Sequence, residues 1–370
     1  MIDIQTTTHE VLWAFFLVSL LLGAISQRTH FCTLGALSDI VHMEDWTRAR
    51  QWLLASATAM LGFAYLCDTS AINPAKTLYA SNRLMWLSAI VGGLMFGYGM
   101  VNASGCGNKT LVRIGGGNLK SLVVFIVMGI SAFATLKGLT AVMRAKFLDV
   151  VALDIPSGSH VGSLLSSLIG GDAQHLAVYA GYAIGVLLLL VALSRKDFWT
   201  LENTVAGIGV GATVIVLWWV SGHLGFVEEH PETLESVYLA TNSGRMEALT
   251  FVAPAAYLLD WLLFFSDSSK VLTAGIVSAV GVIAGACASA IFNRSFRWEG
   301  FADVPDLARH LIGGVLMGVG GVTAMGCTFG QGISGVSTLS LMSFVAVASI
   351  VVGALCALKL QAASIEPCTS

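Results

Sequence analysis

The stretch GGLMFGYGMVNASGCGNKT, Gly92 to Thr110, joins a glycine-rich apolar run to a polar break built around a cysteine. The same pattern returns 221 positions later in GGVLMGVGGVTAMGC, Gly313 to Cys327, which matches Gly92 to Cys106 at 8 of 15 positions without a gap. Both copies end on Gly-Cys in the same register. The match indicates a duplicated unit in which an apolar helix breaks at membrane depth.

Apolar residues dominate the chain. Hydrophobic residues make up 56% of the 370 residues and charged residues only 11%, and the mean hydropathy is +0.80. A water-soluble domain of this size could not bury so much apolar surface. The run from His310 to Leu358 contains no Lys, Arg, Asp or Glu and is long enough for two spans of about 20 residues. The composition therefore predicts an integral membrane protein.

Ten apolar runs are candidate spans, at about 11–25, 51–67, 84–102, 119–136, 176–194, 200–221, 248–266, 271–292, 308–325 and 339–358. The first is interpreted as a span and not a signal peptide, because its start is acidic and no small-residue cleavage site follows. We predict an all-α integral membrane protein with nine to ten transmembrane helices, short re-entrant helices and two pseudo-symmetric halves. Residues 1–370 form one transmembrane domain, with repeat halves at about 11–136 and 251–360.

Loop charges predict the topology, because basic residues collect on the cytoplasmic side. The first ten residues carry only acids among the Asp, Glu, Lys and Arg types, segment 228–235 is acidic, and 195–199 is basic. This favours an outer N-terminus, an outer loop at 222–247 and an inner loop at 195–199. Counting spans puts the basic cluster 294–309 on the outer side. We therefore expect one miscounted span, or one segment that enters the membrane and returns.

The cysteines show no metal-binding spacing. There is no CxxC pair and no histidine at zinc-ligand spacing, so neither a metal site nor a cofactor is predicted. The seven cysteines are Cys32, Cys67, Cys106, Cys287, Cys327, Cys356 and Cys368. Cys67, Cys287 and Cys356 lie among Ala, Leu and Val, which is typical of packing residues.

Cys32 has a different setting from the other thiols. It follows Arg28 and His30 and precedes an apolar piece too short to span a membrane. A loose counterpart in the second half is FNRSFRWEGF, Phe292 to Phe301, with Trp298 in place of the cysteine. The second half is therefore expected to lack one thiol.

Thiols at helix breaks suit a soft anion. A thiol is a weak, polarisable donor, and the freed N–H groups at the start of a half-helix favour negative charge. Gly105, Gly107 and Gly326 beside the cysteines would let an anion approach the backbone. Candidate polar contacts at the pore mouth are Asn108, Lys109 and Gln331. The alternatives are close helix packing for glycines inside the spans, and ordinary helix-end roles for the three polar residues.

The motif QRTHFC, Gln27 to Cys32, and the two Gly-Cys blocks resemble the YeeE/YedE family of sulfur-compound transporters over nearly the whole chain. The resemblance implies about nine spans with short membrane-penetrating helices, in the bacterial inner membrane. It also implies that thiosulfate, the commonest substrate assigned in the family, passes between the thiols of Cys32, Cys106 and Cys327 through transient hydrogen bonds. The implied partner is a TusA-like cytosolic sulfur-carrier protein. One departure is Gly107-Asn108-Lys109, which brings a cation and bears on selectivity among sulfur anions.

Two other functional classes stay open. A membrane thiol-disulfide protein would need paired cysteines of low pKa, and the separate, glycine-flanked thiols argue against it. A soft-metal transporter would use thiols with methionines near the breaks, although packing also explains these methionines. They are Met95, Met100, Met317 and Met325. No Walker motif is present, which excludes ATP hydrolysis by this chain, and nothing predicts enzymatic activity or a nucleic-acid partner.

Overall fold

A computed structural model describes residues 4–155, 158–229 and 234–365, so Cys368 lies outside the described residues. Within these ranges fifteen α-helices make up most of the protein. They are α1 Ile4–Arg28, α2 Thr33–Met43, α3 Thr47–Asp68, α4 Trp86–Asn102, α5 Gly107–Gly115, α6 Leu119–Lys137, α7 Leu139–Met143, α8 Val161–Ile169, α9 Ala173–Leu193, α10 Leu201–Thr204, α11 Val210–Trp219, α12 Val252–Leu263, α13 Ala274–Phe292, α14 Val304–Thr323 and α15 Leu341–Ile365.

Shorter elements complete the chain. The 3-10 turns are Pro74–Lys76 and Lys196–Phe198, and the π-helical turns are Arg144–Leu148, Val205–Gly209, Val220–Leu224 and Gly330–Gly335. Strand β1 Arg83–Leu84 pairs antiparallel with β2 Leu153–Asp154, and β3 Phe226–Val227 with β4 Val237–Tyr238. Because each strand has only two residues, these pairs fasten loops together and do not build a sheet layer.

Seven helical segments of the described chain are long and apolar enough to cross a membrane. They are Ile4–Met43, Trp86–Gly115, Leu119–Lys137, Ala173–Leu193, Leu201–Leu224, Ala274–Phe292 and Leu341–Ala363. α3 and α14 have similar lengths, 22 and 20 residues, but carry charged residues near their first turns. α12 has 12 residues, or roughly 18 Å of helix, against a hydrocarbon core of about 30 Å. The all-α membrane class is confirmed.

α4 and α14 cross at the centre with their backbones in contact. A Cβ atom on Gly92 would lie 2.5 Å from the backbone N of Ala324, and one on Gly313 would lie 2.6 Å from the N of Ala103. The two contacts are reciprocal, since each joins the glycine that opens one copy of the repeat to the helix end of the other. α15 packs along α4, and α6 packs along α14. These glycines therefore serve close helix packing.

The basic segments gather at one end of the molecule. The Arg297 N–H donates to the Gly116 carbonyl at 3.1 Å, and Lys120 Nζ lies 2.8 Å from the Asp306 carboxylate. Counting ten spans placed the 294–309 cluster on the outer side, away from the turn at 116–120. α12 occupies only part of the expected span 248–266, and the number of spans stays a prediction.

Candidate functional site

Each of the three cysteines that the sequence singles out begins a helix. Cys32 precedes α2, Cys106 precedes α5, and Cys327 opens the helical segment 327–338 that contains the π-turn. The Sγ atoms of Cys32 and Cys327 accept the N–H groups of Gly35 and Gly330, both at 3.4 Å. Each sulfur therefore acts as an N-cap acceptor, the role that a serine or aspartate oxygen has at most helix starts. Each thiol is therefore held at the positive end of a helix.

A left-handed residue lies two positions before each cysteine. The φ angles are 52° at His30, 56° at Ser104 and 57° at Met325, a conformation uncommon for residues other than glycine. In the first Gly-Cys copy the Gly105 N–H donates to the Met100 carbonyl at 2.9 Å, and this hydrogen bond ends the preceding helix. The equivalent hydrogen bond in the second copy measures 2.8 Å. This is the Schellman closure. It explains why the helix stops where the sequence predicts a break.

The helix starts that carry the thiols converge. A Cβ atom on Gly107 would lie 3.9 Å from Cys327 Sγ, so the start of α5 faces the start of segment 327–338. Cys106 lies near both Cys32 and Thr328, and the buried Thr328 hydroxyl has no hydrogen-bond partner among the described residues. Three helix N-termini thus meet at one place. Their partial positive charges add there without a charged side chain.

The three thiols are buried, and phenylalanines adjacent to them in sequence belong to one ring cluster. Cys106 and Cys327 are 1% and 0% exposed. The ring of Phe329 lies 6.1 Å from that of Phe31 and 5.4 Å from that of Phe251, centre to centre. Phe31 and Phe329 stand beside the cysteines in sequence, whereas Phe251 comes from the loop before α12. The site therefore includes a small aromatic cluster, which we call the phenylalanine collar, Phe31, Phe251 and Phe329.

Phe251 and Trp298, the expected counterpart of Cys32, lie in different surroundings. Phe251 immediately precedes α12, as Cys32 precedes α2, and its Cβ lies 3.3 Å from the Cβ position of Gly107. Trp298, which the sequence suggested, is 70% exposed. Its segment pairs with the turn between α5 and α6 at the surface, and the correspondence of Trp298 with Cys32 stays a prediction.

Asn108 and Lys109 follow Cys106 in the first turn of α5. Asn108 is 1% exposed, its Nδ2 donates weakly to Ser26 at 3.4 Å, and its Oδ1 has no partner among the described residues. Lys109 is half-buried near the thiols of Cys32 and Cys106. Arg48 and Arg113 are also close to Lys109. The basic end of the molecule therefore reaches the site through Lys109.

Gln331 is packed inside the second break and is not at a mouth. It is fully buried, its Nε2 donates to the Ala324 carbonyl at 2.8 Å, and its Oε1 accepts the Ser343 hydroxyl at 2.6 Å. Gly326, at the same break, lies against the Gln331 side chain. Both ends of this amide are engaged in holding the break, so contact of Gln331 with a solute stays a prediction.

Sequence reasoning missed three residues around the thiols. Thr328 faces Cys106, and its place directly after Cys327 was a usable signal. Tyr79 donates its hydroxyl to the Gly330 carbonyl at 2.6 Å from a loop that carries no pattern. Arg113 donates to the Ser104 carbonyl at 2.7 Å and so supports the first break.

Two cavities approach the site from different elements. One, of about 300 Å³, is lined by Met325 and Gly326 of the second break. The other, of about 280 Å³, lies between α2, α3 and α15 and is lined by Thr33 and Thr328, which follow Cys32 and Cys327 in sequence. Among the residues that the structure describes, no three His, Cys, Asp or Glu side chains cluster as metal ligands.

Comparisons with known proteins agree on one family. The family model described as "Sulphur transport" matches residues 28–356, which include all three cysteines. The thiosulfate transporter TsuA of Escherichia coli is 24% identical over 350 residues, covering 90% of each chain. The thiosulfate transporter TsuA of Spirochaeta thermophila is 27% identical over 352 residues, covering 93% of this chain and 97% of its own.

Proposed function

The chain belongs to the Sulphur transport family, and from that membership we propose that it takes up thiosulfate, or a related sulfur-containing anion, across the bacterial inner membrane. It is a multi-pass transporter and not an enzyme. The observation that carries the choice of substrate is the convergence of three helix starts, each opened by a cysteine. Soft thiol donors and positive helix ends at one place suit an anion that carries a terminal sulfur.

The proposed path runs past the thiols in the order Cys327, Cys106, Cys32. Cys327 faces the start of α5 across Gly107, and Cys106 neighbours Cys32, so each step needs only a short displacement. Thiol hydrogen bonds hold the sulfur of the anion, and freed backbone N–H groups hold its oxygens. The side chains of the phenylalanine collar rotate to let each anion pass, so whole helices do not need to rock. Lys109 then draws the anion toward the basic end.

We further propose nine spans. They are α1, α3, α4 together with α5, α6, α9, segment 201–224, α13, α14 and α15, while α2 and α12 enter the membrane from opposite ends without crossing it. This count places the basic clusters at 28–50, 109–120, 195–196 and 294–309 on the cytoplasmic side, and both the N-terminus and 222–247 outside. Support comes from the 12-residue length of α12 and from the pairing of segment 294–303 with the turn at 116–119.

The two halves are proposed to be inverted repeats, with the second starting earlier than the 251–360 expected from sequence. Segment 201–224 would correspond to α1, α12 to α2, α13 to α3, and α15 to α6. The broken pair α4 and α5 would correspond to α14 with segment 327–338. Supporting this are the matching hydrogen bonds at the two breaks and the reciprocal glycine contacts of α4 and α14.

A TusA-like cytosolic carrier remains the proposed recipient of the sulfur. The basic end of the molecule, with Arg48 and Arg113 near Lys109, is where such a protein would meet the emerging anion. The proposal would fail if a purified TusA-like protein neither bound this transporter nor changed the rate of thiosulfate entry.

Uptake of radiolabelled thiosulfate tests the proposed function. Cells that lack their own thiosulfate uptake should accumulate label when they express this chain, and not when they express Cys106→Ala at the same protein level. Sulfate, selenite, Cu⁺ and Ag⁺ serve as competing solutes. Entry of Cu⁺ or Ag⁺ without thiosulfate would contradict the proposal and favour the soft-metal alternative.

One observation keeps a thiol-disulfide function as the second candidate. The thiols of Cys32 and Cys106 are neighbours, although 74 positions separate them in sequence. Mass spectrometry of the protein trapped during turnover separates the two functions. Transport by hydrogen bonding leaves both thiols free, whereas an obligatory disulfide or persulfide on either cysteine would favour redox chemistry.

A further inference from the structure

A buried carboxyl group borders the cavity that leads to the second break. We call this 300 Å³ cavity the Gly326 vestibule; its polar lining includes Arg144, Asp149, Glu247, Thr250 and Tyr257. Glu247 lies in the loop between β4 and α12 and is 8% exposed. The mechanism described above does not use it.

Among the residues that the structure describes, Glu247 has no ion-pair partner, whereas the other charged residues lining the vestibule form a pair. Arg144 Nε and Asp149 Oδ2 form an ion pair at 3.0 Å, and Ser88 also donates to Asp149 at 2.7 Å. Glu247 instead accepts the N–H of Ser243, at 3.0 Å, and its hydroxyl. Among the charged residues described around the vestibule, the Arg144–Asp149 pair has no net charge. The net charge of the vestibule therefore depends on whether Glu247 is ionised.

The other groups facing Glu247 leave this charge uncompensated. Tyr79, from the loop after α3, and Tyr257, from α12, are the titratable side chains near it. Arg245 points away and donates to the Ala80 carbonyl. Burial raises the pKa of the Glu247 carboxyl, and hydrogen bonds from Ser243 and Asn242 oppose the rise only in part. The neutral form therefore persists to higher pH than in an exposed glutamate, and the charge appears as pH rises.

We propose that Glu247 is a proton-binding site that controls entry of the anion: the neutral carboxyl admits a divalent sulfur anion to the Gly326 vestibule, and the carboxylate repels it. This inference rests on the proposed function. Tyr79 is close to both Glu247 and Cys327, and its hydroxyl donates to the carbonyl of Gly330, three residues after Cys327. An ionised Glu247 thus opposes the attraction of the helix start at Cys327, and a low-dielectric cavity screens the repulsion poorly.

The test measures initial thiosulfate uptake into proteoliposomes at fixed internal pH and clamped membrane potential. As external pH is raised from the ordinary glutamate pKa of about 4.3 upward, we expect KM to rise on the order of tenfold, with a much smaller change in maximal rate. Glu247→Gln, which keeps the oxygen that accepts from Ser243, should hold the low KM across the whole range. Asp172→Asn is the matched control. This acid lines a different cavity, together with Ala80 and Arg245, and the variant should keep the wild-type pH profile.

The outcomes separate this inference from the function on which it rests. A wild-type KM that does not change with pH would overturn the role of Glu247 even if the Gln variant failed to fold. So would a Glu247→Gln protein with the wild-type pH profile. Absence of thiosulfate uptake by wild type at every pH would contradict the proposed function itself.

Discussion

Replacing Gly92 with alanine should strongly impair transport while leaving the thiols themselves unchanged. The new Cβ would lie 2.5 Å from the Ala324 nitrogen and 2.7 Å from the Gly320 oxygen. Both are backbone atoms, so no side chain can rotate away. Ordinary contact begins at 3.4 Å, and α4 and α14 would have to separate by about 0.9 Å at this point.

The magnitude follows from where the displacement acts. Ala324 is three residues before Cys327, so a shift of this size moves the thiol relative to Gly107. Overpacking costs about 1–3 kcal/mol of folding free energy, and misplacing a reacting group by roughly 1 Å can cost about 100-fold in rate. We therefore expect uptake per folded transporter to fall roughly 100-fold, and Gly313→Ala to have a similar effect through Ala103.

The assay compares initial thiosulfate uptake, normalised to membrane-inserted protein measured by fluorescence-detected size exclusion. Gly300→Ala is the control, because a Cβ there meets nothing within 4 Å, and it should transport normally. Wild-type uptake by Gly92→Ala at normal protein level would refute the argument that backbone contact of these helices positions the site.

The remaining predictions concern the thiols and the topology. Cys106→Ala or Cys327→Ala should lower uptake about 10-fold or more, which is the equivalent of one charge-assisted hydrogen bond. The control variants Cys67→Ala, Cys287→Ala and Cys356→Ala should not lower uptake. Equal losses in both sets would contradict the proposed path. Cys106→Ser should retain partial uptake, because a hydroxyl donates but is harder and less polarisable, and a serine variant as inactive as alanine would argue for redox chemistry. Reporter fusions should report 222–247 outside and 195–199 inside, and the reverse pattern would exclude the nine-span proposal.

Much of the fold could be predicted because lipid permits few solutions. An uncharged run long enough to cross must become a helix, which pairs its own backbone groups, and α6, α13 and α15 lie where the apolar runs predicted. The apolar composition of the run at 248–266 predicted a helix longer than the one that forms. Phe251 is buried just before α12, and Asp260 in the last turn of α12 binds Lys270 at 2.6 Å, so only Val252–Leu263 is helical.

The sequence predicted individual residues of the site but not the contacts between residues that are distant in the chain. Repetition of Gly-Cys identified Cys106 and Cys327, and the local polar setting identified Cys32. The contacts that assemble them join distant positions, as Thr328 does with Cys106 and Phe251 with Gly107. No periodicity encodes such pairs. Glu247 escaped notice for the same reason, since its loop resembles an ordinary polar connection until its burial is known.

The opposed helix starts at Cys106 and Cys327 bear on how this protein should be studied genetically. Much of the attraction for an anion there resides in peptide N–H groups, which every amino acid except proline supplies identically. Saturation mutagenesis would therefore report the cysteines and the crowded glycines and would overlook the peptide groups. Replacing the amide bond after Gly107 with an ester, by nonsense suppression with a hydroxy acid at Asn108, would remove one N–H and leave every other side chain in place.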